Sequence, residues 1–371
     1  MNLLKKMTAA LLAVLMLASF AACHPKNEVA LTVGDVDITS AMYMCFLIQA
    51  DGEGRDAVDT ANADNEEYDA DTVDYYAQKV DDTDFSAWVK NRAQEIAVEY
   101  ATYIKMFNEK GLTLSDDDQS MIDQYVDYYW NNYGYSTLYE ANGVSQTTYK
   151  EYFSYSYKSK ACFMSVYGTS GTDPVPEDEV KNAISANFAA VNTLKLSYSY
   201  SDDDGNTVNY SDEEIAAIKE KAQTYAQRIR NGETFGTIYL EENPSTDTSS
   251  IDTGDESAYA TIFVSEAAQA YTSSNYYSYD HWDEASALGV GEVTVIDDDD
   301  QSLVLYKYQN VLDNENYITS FTEPALYILK QSAFEEKIKA DSAALEVKVN
   351  NYAVDQFKPA KIEYPTSASA S

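Results

Sequence analysis

Apolar positions recur along this chain with a period near two at both ends and in the middle, and with a period near 3.6 between. Val29 to Ile38 alternates around Gly34-Asp35, which predicts two short strands and a tight turn. Thr39 or Ser40 then caps an apolar helix of about ten residues, Ala41 onward. Residues 51–83 are rich in Asp and poor in large aliphatics, so they read as a solvated acidic excursion with a short helix near Val73–Val80. Phe85, Trp88, Val89, Ile96, Tyr100, Tyr103, Ile104 and Phe107 form one helical stripe, with Gly111 at the C-terminal stop. Ser115 followed by three aspartates caps the next helix, and a third begins near Ser145 or Gln146 and runs through Met164. Residues 168–176 are a linker, and Pro176 opens a further helix.

At Asn192 the period changes. Leu194, Leu196, Tyr198 and Tyr200 alternate with polar residues, as in a strand. Ser211 and Glu214 make a capping box for a helix with the stripe Ile215, Ile218, Ala222, Tyr225 and Ile229, ended by Asn231-Gly232. A loop-rich stretch to about 257 precedes helical segments near Ser265–Tyr271 and Trp282–Leu288. Glu292–Ile296 and Leu303–Tyr308 read as a hairpin around Asp297–Gln301. Helix returns over Pro324–Ala340, and Leu345, Val347 and Val349 alternate as a last strand. The tail 364–371 is small and polar and is expected to be disordered. The pattern is helical, then compact α+β, then helical again.

The first 22 residues add an address. Lys5 and Lys6 precede an apolar run, Met7 to Ala18, that is too short to span a bilayer and ends in Ala21-Ala22-Cys23. This matches a secretory signal of the bacterial lipoprotein type, with Phe20 where leucine is usual. Cys23 is then the acylated first residue, holding the chain on the outer face of a cell membrane. An ordinary signal with a coincidental cysteine is the alternative. The remaining cysteines, Cys45 and Cys162, are two candidates for one disulfide, but both lie in apolar helical stretches that favour buried thiols.

Composition narrows the chemistry. Lys+Arg number 25 against 62 Asp+Glu, a formal charge of −37, which loss of Lys5 and Lys6 with the signal takes to −39. Such a chain has no basic stripe for nucleic acid and is repelled by anionic headgroups. Two histidines, His24 and His281, argue against multi-histidine metal sites and His-based triads. Asp202–Asn206 and Asp297–Asp300 show oxygen ligands at alternate positions, yet no glutamate closes a twelve-residue calcium loop, so they read as solvated turns. His281 beside Asp280 and Asp283 reads as an exposed imidazole, and the 33 tyrosines as amphipathic packing that also offers an adaptable peptide-binding surface.

Five segments resemble one family. They are Val33-Gly34-Asp35-Val36-Asp37-Ile38-Thr39, Lys110-Gly111-Leu112-Thr113-Leu114-Ser115-Asp116, Val175-Pro176-Glu177-Asp178-Glu179-Val180, Arg230-Asn231-Gly232-Glu233-Thr234-Phe235 and Ala287-Leu288-Gly289-Val290-Gly291-Glu292-Val293. In that order they resemble the extracytoplasmic foldase lipoproteins of the PrsA type and the related SurA chaperones. The resemblance implies an α+β fold: a helical chaperone domain formed by both termini, with an inserted parvulin-like peptidyl-prolyl isomerase domain. The expected divisions are 1–22 signal, 23–190 helical domain, 191–313 parvulin-like domain, 314–363 returning helix and strand, and 364–371 tail. It also implies unfolded secreted polypeptides as partners, the membrane through the lipid, no nucleic acid and no cofactor or metal.

The departures bear on function. Active parvulins resemble one another in a histidine on the first and last strands of the domain. Here those neighbourhoods are Leu194-Lys195-Leu196 and Leu303-Val304-Leu305, and the usual glycine pair is missing near Asp252-Thr253-Gly254. Prolyl isomerisation breaks no bond and requires no proton transfer, so an apolar cleft alone retains some means of catalysis. Tyr198, Phe263, Trp282 and Tyr306 are the candidates to line such a cleft, with core packing as the competing role for each. The expectation is a membrane-anchored foldase or holdase with doubtful isomerase activity; the alternative is a cell-surface scaffold or adhesion lipoprotein without foldase activity.

Overall fold

The computed structural model describes residues 28–66, 68–247, 254–272 and 277–364. The signal segment, Cys23, His24 and the tail beyond Tyr364 lie outside the described residues. The architecture is α+β and divides into two compact units. One is made of residues up to 166, 170–172 and 333 onward; the other of 167–169 and 173–332.

The first unit begins with β1 (Val29–Val33) and β2 (Val36–Thr39), joined through Gly34 at φ +60°, where a side chain would be strained. The Thr39 hydroxyl accepts from the Met42 amide and starts α1 (Ser40–Ala61). This helix is a correction to the acidic excursion, since it continues to Ala61 through Asp51, Gly52 and Gly54. The excursion proper holds a 3₁₀ turn (Tyr75–Ala77) and the two-residue strands β3 (Lys79–Val80) and β4 (Thr83–Asp84), rather than a helix near Val73–Val80. A Cβ on Gly54 would stand 3.0 Å from the Phe85 ring and 3.2 Å from the Trp88 ring. Glycine there admits the close approach of α2 (Phe85–Glu109), whose stripe packs on α1.

Ser115 and Asp118 close a capping box on α3 (Asp116–Asn132). A short α4 (Tyr135–Ala141), absent from the sequence pattern, precedes α5 (Gln146–Phe153) and α6 (Tyr155–Tyr167), which divide at Ser154. The core of this unit collects Leu31, Tyr43, Phe46, Leu47, Phe85, Ile122 and Trp130, all buried.

The second unit opens with α7 (Glu177–Asn187), Pro176 standing at its N-cap, then β5 (Phe188–Ser197). The strand starts four positions before the change of period at Asn192, because Phe188 to Val191 is buried on both faces and does not alternate. A hairpin of β6 (Ser199–Ser201) and β7 (Thr207–Asn209) leads to α8 (Asp212–Arg230), begun by the Ser211–Glu214 capping box, and α9 (Phe235–Glu242). There follow β8 (Ala260–Val264), α10 (Glu266–Gln269), β9 (Tyr277–Ser278), α11 (Trp282–Ala287), β10 (Val293–Asp297) and β11 (Gln301–Tyr306). α9 falls inside the stretch expected to be loop, and β8 in the short span before Ser265 to which the pattern assigned no element. The sheet order is β10-β11-β5-β8-β9, antiparallel except for β8 beside β9.

α12 (Glu315–Ala343) leaves this unit and returns to the first, with Pro324 inside it rather than at its start. β12 (Val347–Val349) then pairs antiparallel with β1, giving the sheet β12-β1-β2. A one-turn α13 (Asn351–Val354) and a segment to Tyr364 fold against α1. Among the described residues no helix is long and apolar enough to cross a membrane.

Candidate functional site

Alternation along β5 separates two environments. Leu194 and Leu196, with Val304 and Tyr306 of β11 and Val293 of β10, face α8 and α9, packing on Ala222, Tyr225, Phe235 and Ile238. Ala189 and Val191, with Phe263 of β8 and Leu303 and Leu305 of β11, face the other way and are covered in part by Trp282, Ala285 and Leu288. On that second face α11 covers only part of the sheet. Beside it lies an open cavity of about 830 Å³, lined by Thr193, Lys195, Thr261, Phe263, Ser278, Asp297, Gln301 and Leu303 from the strands and by Asp280, His281 and Asp298–Asp300 from the loops.

Phe263 is buried on the floor of this cleft, and Trp282 packs on the same cluster. Tyr306 belongs to the opposite face. Tyr198 is also turned away: its hydroxyl lies 2.7 Å from Ser302 Oγ, and Lys219 of α8 stands 5.4 Å above its ring. The four candidates therefore do not form one site. Two mark the cleft face, and the tyrosines pack on the helical face as core.

The sequence pattern missed Lys195, His281 and Asp298. Lys195 and Leu303 are register partners on neighbouring strands, and both line the cleft. An imidazole lines the same cavity from a loop: His281 precedes α11 at φ +60°, a left-handed conformation that costs a non-glycine residue about 1–2 kcal/mol. Its Nε2 lies 3.0 Å from Asp298 Oδ2, so the ring is half-buried and held, rather than exposed. The Gln301 side-chain amide donates to the same oxygen at 3.0 Å. That hydrogen bond, with His281 adding to it against partial burial, holds the Asp298 carboxyl below the usual carboxylate range. A sequence signal did exist, since His281 is one of only two imidazoles and sits directly before Trp282.

No family model matches the chain, and no curated protein matches it. Two PrsA crystal structures are among the solved structures similar to it. A crystal structure of the foldase protein PrsA from Streptococcus pneumoniae is 17% identical, with a TM-score of 0.35 over 76% of this chain and 96% of that one. A crystal structure of PrsA from Bacillus subtilis is 14% identical, with a TM-score of 0.30 over 76% of this chain and 97% of that one. Scores of this size leave the assignment of function to the chain's own residues.

Among the described residues Cys45 and Cys162 are both buried and unpaired, and burial pushes the Cys162 thiol up to about 12. Cys45 is shifted further in the same direction by the same cause. The Asp202 carboxylate is turned inward onto the amides of Asp204 and Asn206, closing its own turn. The cleft itself has an apolar floor, hydroxyls on its walls and a charged rim, a lining suited to an extended polypeptide segment.

Proposed function

We propose that the chain is a lipid-anchored extracytoplasmic holdase of the foldase type, which binds extended stretches of unfolded secreted polypeptide in the second unit. The carrying observation is the cleft on the open face of β5, β8 and β11, floored by Phe263 and Leu303 and edged by polar side chains. A shallow trough of that size accepts one or two apolar side chains from a flexible chain and leaves the backbone in contact with water. Binding of this kind is weakly sequence-selective.

Catalysis of prolyl isomerisation is a secondary matter in this reading. With Lys195 and Leu303 at the implied histidine neighbourhoods, the only imidazole lining the cleft is already bonded to Asp298. The chain's retained capacity is grip. The signal pattern ending at Cys23 supports an acyl anchor outside the cytoplasm, and the acidic surface keeps the folded units off anionic headgroups.

The test uses the mature chain in two assays on one preparation. Light scattering should show slowed aggregation of a reduced, unfolding client, while exchange spectroscopy of a proline peptide should show cis–trans interconversion at the uncatalysed rate. Client aggregation unchanged by the protein would refute the holdase reading and favour a scaffold or adhesion role. Accelerated exchange would restore the enzyme. Mass spectrometry of the mature N-terminus should find Cys23 as the first residue and acylated; an unmodified Cys23 would refute the anchor.

A further inference from the structure

We propose that the cleft of the second unit selects cationic stretches of extended polypeptide, in which apolar side chains alternate with lysine or arginine. The inference rests on the holdase reading and adds the chemistry of the preferred segment. Its basis is the contrast between floor and rim. Phe263 and Leu303 make the floor apolar, whereas the rim carries Asp280 and the whole turn Asp297–Asp300. Lys195 is the lone lysine or arginine among the lining residues.

The rim carboxylates divide by how they are used. Asp297 accepts from Ser302 Oγ at 2.6 Å, and Asp298 accepts from Gln301 and His281, so these two shape the turn. Asp280, Asp299 and Asp300 have no ion-pair partner among the described residues. They are left facing solvent at the mouth of a cavity, where a cation brought by a ligand gains attraction without breaking an internal bond. The Gln301 side-chain oxygen is sealed from solvent without a hydrogen-bond partner while the same amide donates to Asp298, which fixes the turn on which Asp299 and Asp300 stand.

Geometry supplies the alternation. An extended peptide turns successive side chains to opposite sides, so a residue seated on Phe263 leaves its neighbours free to reach the rim. Exposed pairs of this kind are weak singly and screened by salt, and two of them together should shift affinity by roughly threefold to tenfold.

The experiment measures binding of three labelled peptides by fluorescence anisotropy at low and at high salt, using the mature chain. The peptides share one apolar core and differ in flanking residues, which are Lys, Ser or Glu. The expected order is Lys, then Ser, then Glu, with the differences collapsing at high salt. The triple variant Asp280→Asn/Asp299→Asn/Asp300→Asn should erase the preference and leave the Ser-flanked peptide unchanged. A control, Asp64→Asn/Glu66→Gln, removes acidic charge from an exposed segment of the first unit and should keep the preference. Equal binding of the Lys and Ser peptides, or a preference surviving in the cleft variant, overturns the charge selection while the holdase reading stands. Binding of none of the three retires both.

Discussion

Replacing Asp51 with alanine should destabilise the first unit by about 3 kcal/mol and free the C-terminal segment. Asp51 lies on α1 and is fully buried. Its Oδ2 accepts from Arg55 Nε at 2.6 Å and from the Tyr364 hydroxyl at 2.8 Å, and its Oδ1 lies 2.8 Å from the Tyr76 hydroxyl. That tyrosine also reaches the Pro359 carbonyl at 2.9 Å, while the Arg55 guanidinium stacks 4.6 Å from the Tyr75 ring and 4.7 Å from the Tyr364 ring. One carboxylate thus fastens the 3₁₀ turn at Tyr75–Ala77 and the segment 359–364 to α1. Removing one partner of a buried ion pair costs about 3–5 kcal/mol, and the Arg55 side chain is 29% exposed, which places the effect at the lower end. Arg55→Ala should cost at least as much, because the charge then left alone is the wholly buried one. The double variant should lose about 1–3 kcal/mol less than the two single losses together, as expected for groups in one network. Urea unfolding read at Trp88 gives the energies, and carboxypeptidase digestion reports release of the segment. A loss below about 1 kcal/mol, or strict additivity, would refute the network.

Three other outcomes are expected. Cys45 and Cys162 should resist a thiol reagent in native buffer and both react in denaturant, since burial raises both thiols; rapid labelling of either in the native chain would contradict their environment. Burial first, then the Asp51 charge, push the Tyr76 hydroxyl up to about 12. A raised native pKa contributes stability that is complete below the unfolded value of about 10 and lost as the pH climbs through the native one. Ultraviolet titration should therefore show late tyrosines ionising together with loss of structure between about pH 10 and 12, against a smooth non-cooperative curve if the reasoning fails. Gly236→Ala should destabilise the second unit by about 1–3 kcal/mol, because its Cβ would stand 2.7 Å from the Tyr259 ring; an unchanged melting temperature would show that the ring yields freely.

Local rules located what local chemistry decides. The Ser115 and Ser211 caps, the Gly34 turn and the β10–β11 hairpin each depend on neighbours within a few residues, and all were legible. The end of α1 was not, because Asp51, Gly52 and Gly54 resemble a solvated loop until Arg55, Tyr76, Tyr364 and the rings of Phe85 and Trp88 are brought to them. Pro324 likewise reads as a helix start, yet α12 carries it inside. β8 is five residues with no alternation of its own; its place is set by pairing with Phe188–Asn192. Of the four aromatic candidates, Phe263 lines the cavity and Trp282 packs on the same face of the sheet, whereas strand parity sends Tyr306 to the side of Leu194 and Val304 and Tyr198 bonds Ser302 on that side. The polar rim depended on His281 meeting Asp298 across the sheet face, which no spacing in the chain announces.

The same accounting explains why the chain carries 33 tyrosines. With 62 acids and 25 lysines and arginines, cations are too few to pair every carboxylate, and a carboxylate drawn out of water still requires donors. Tyrosine supplies a donor without a charge to desolvate, on a ring that packs like core. Asp59 accepts from Tyr68 and from Tyr75 at 2.9 Å, Glu242 from Tyr225 at 2.7 Å beside Lys221, and Asp51 from Tyr76 and Tyr364 beside Arg55. Tyr139, by contrast, is buried among Trp130 and Tyr149 and serves as a ring. Tyr→Phe at Tyr75 or Tyr225 should then cost about 1.5–3 kcal/mol, the value of a hydrogen bond to a charged group, while Tyr139→Phe stays within about 0.5 kcal/mol. Equal effects at all three, measured by urea unfolding, would mean that the hydroxyls are incidental and that the tyrosines were retained for their rings alone.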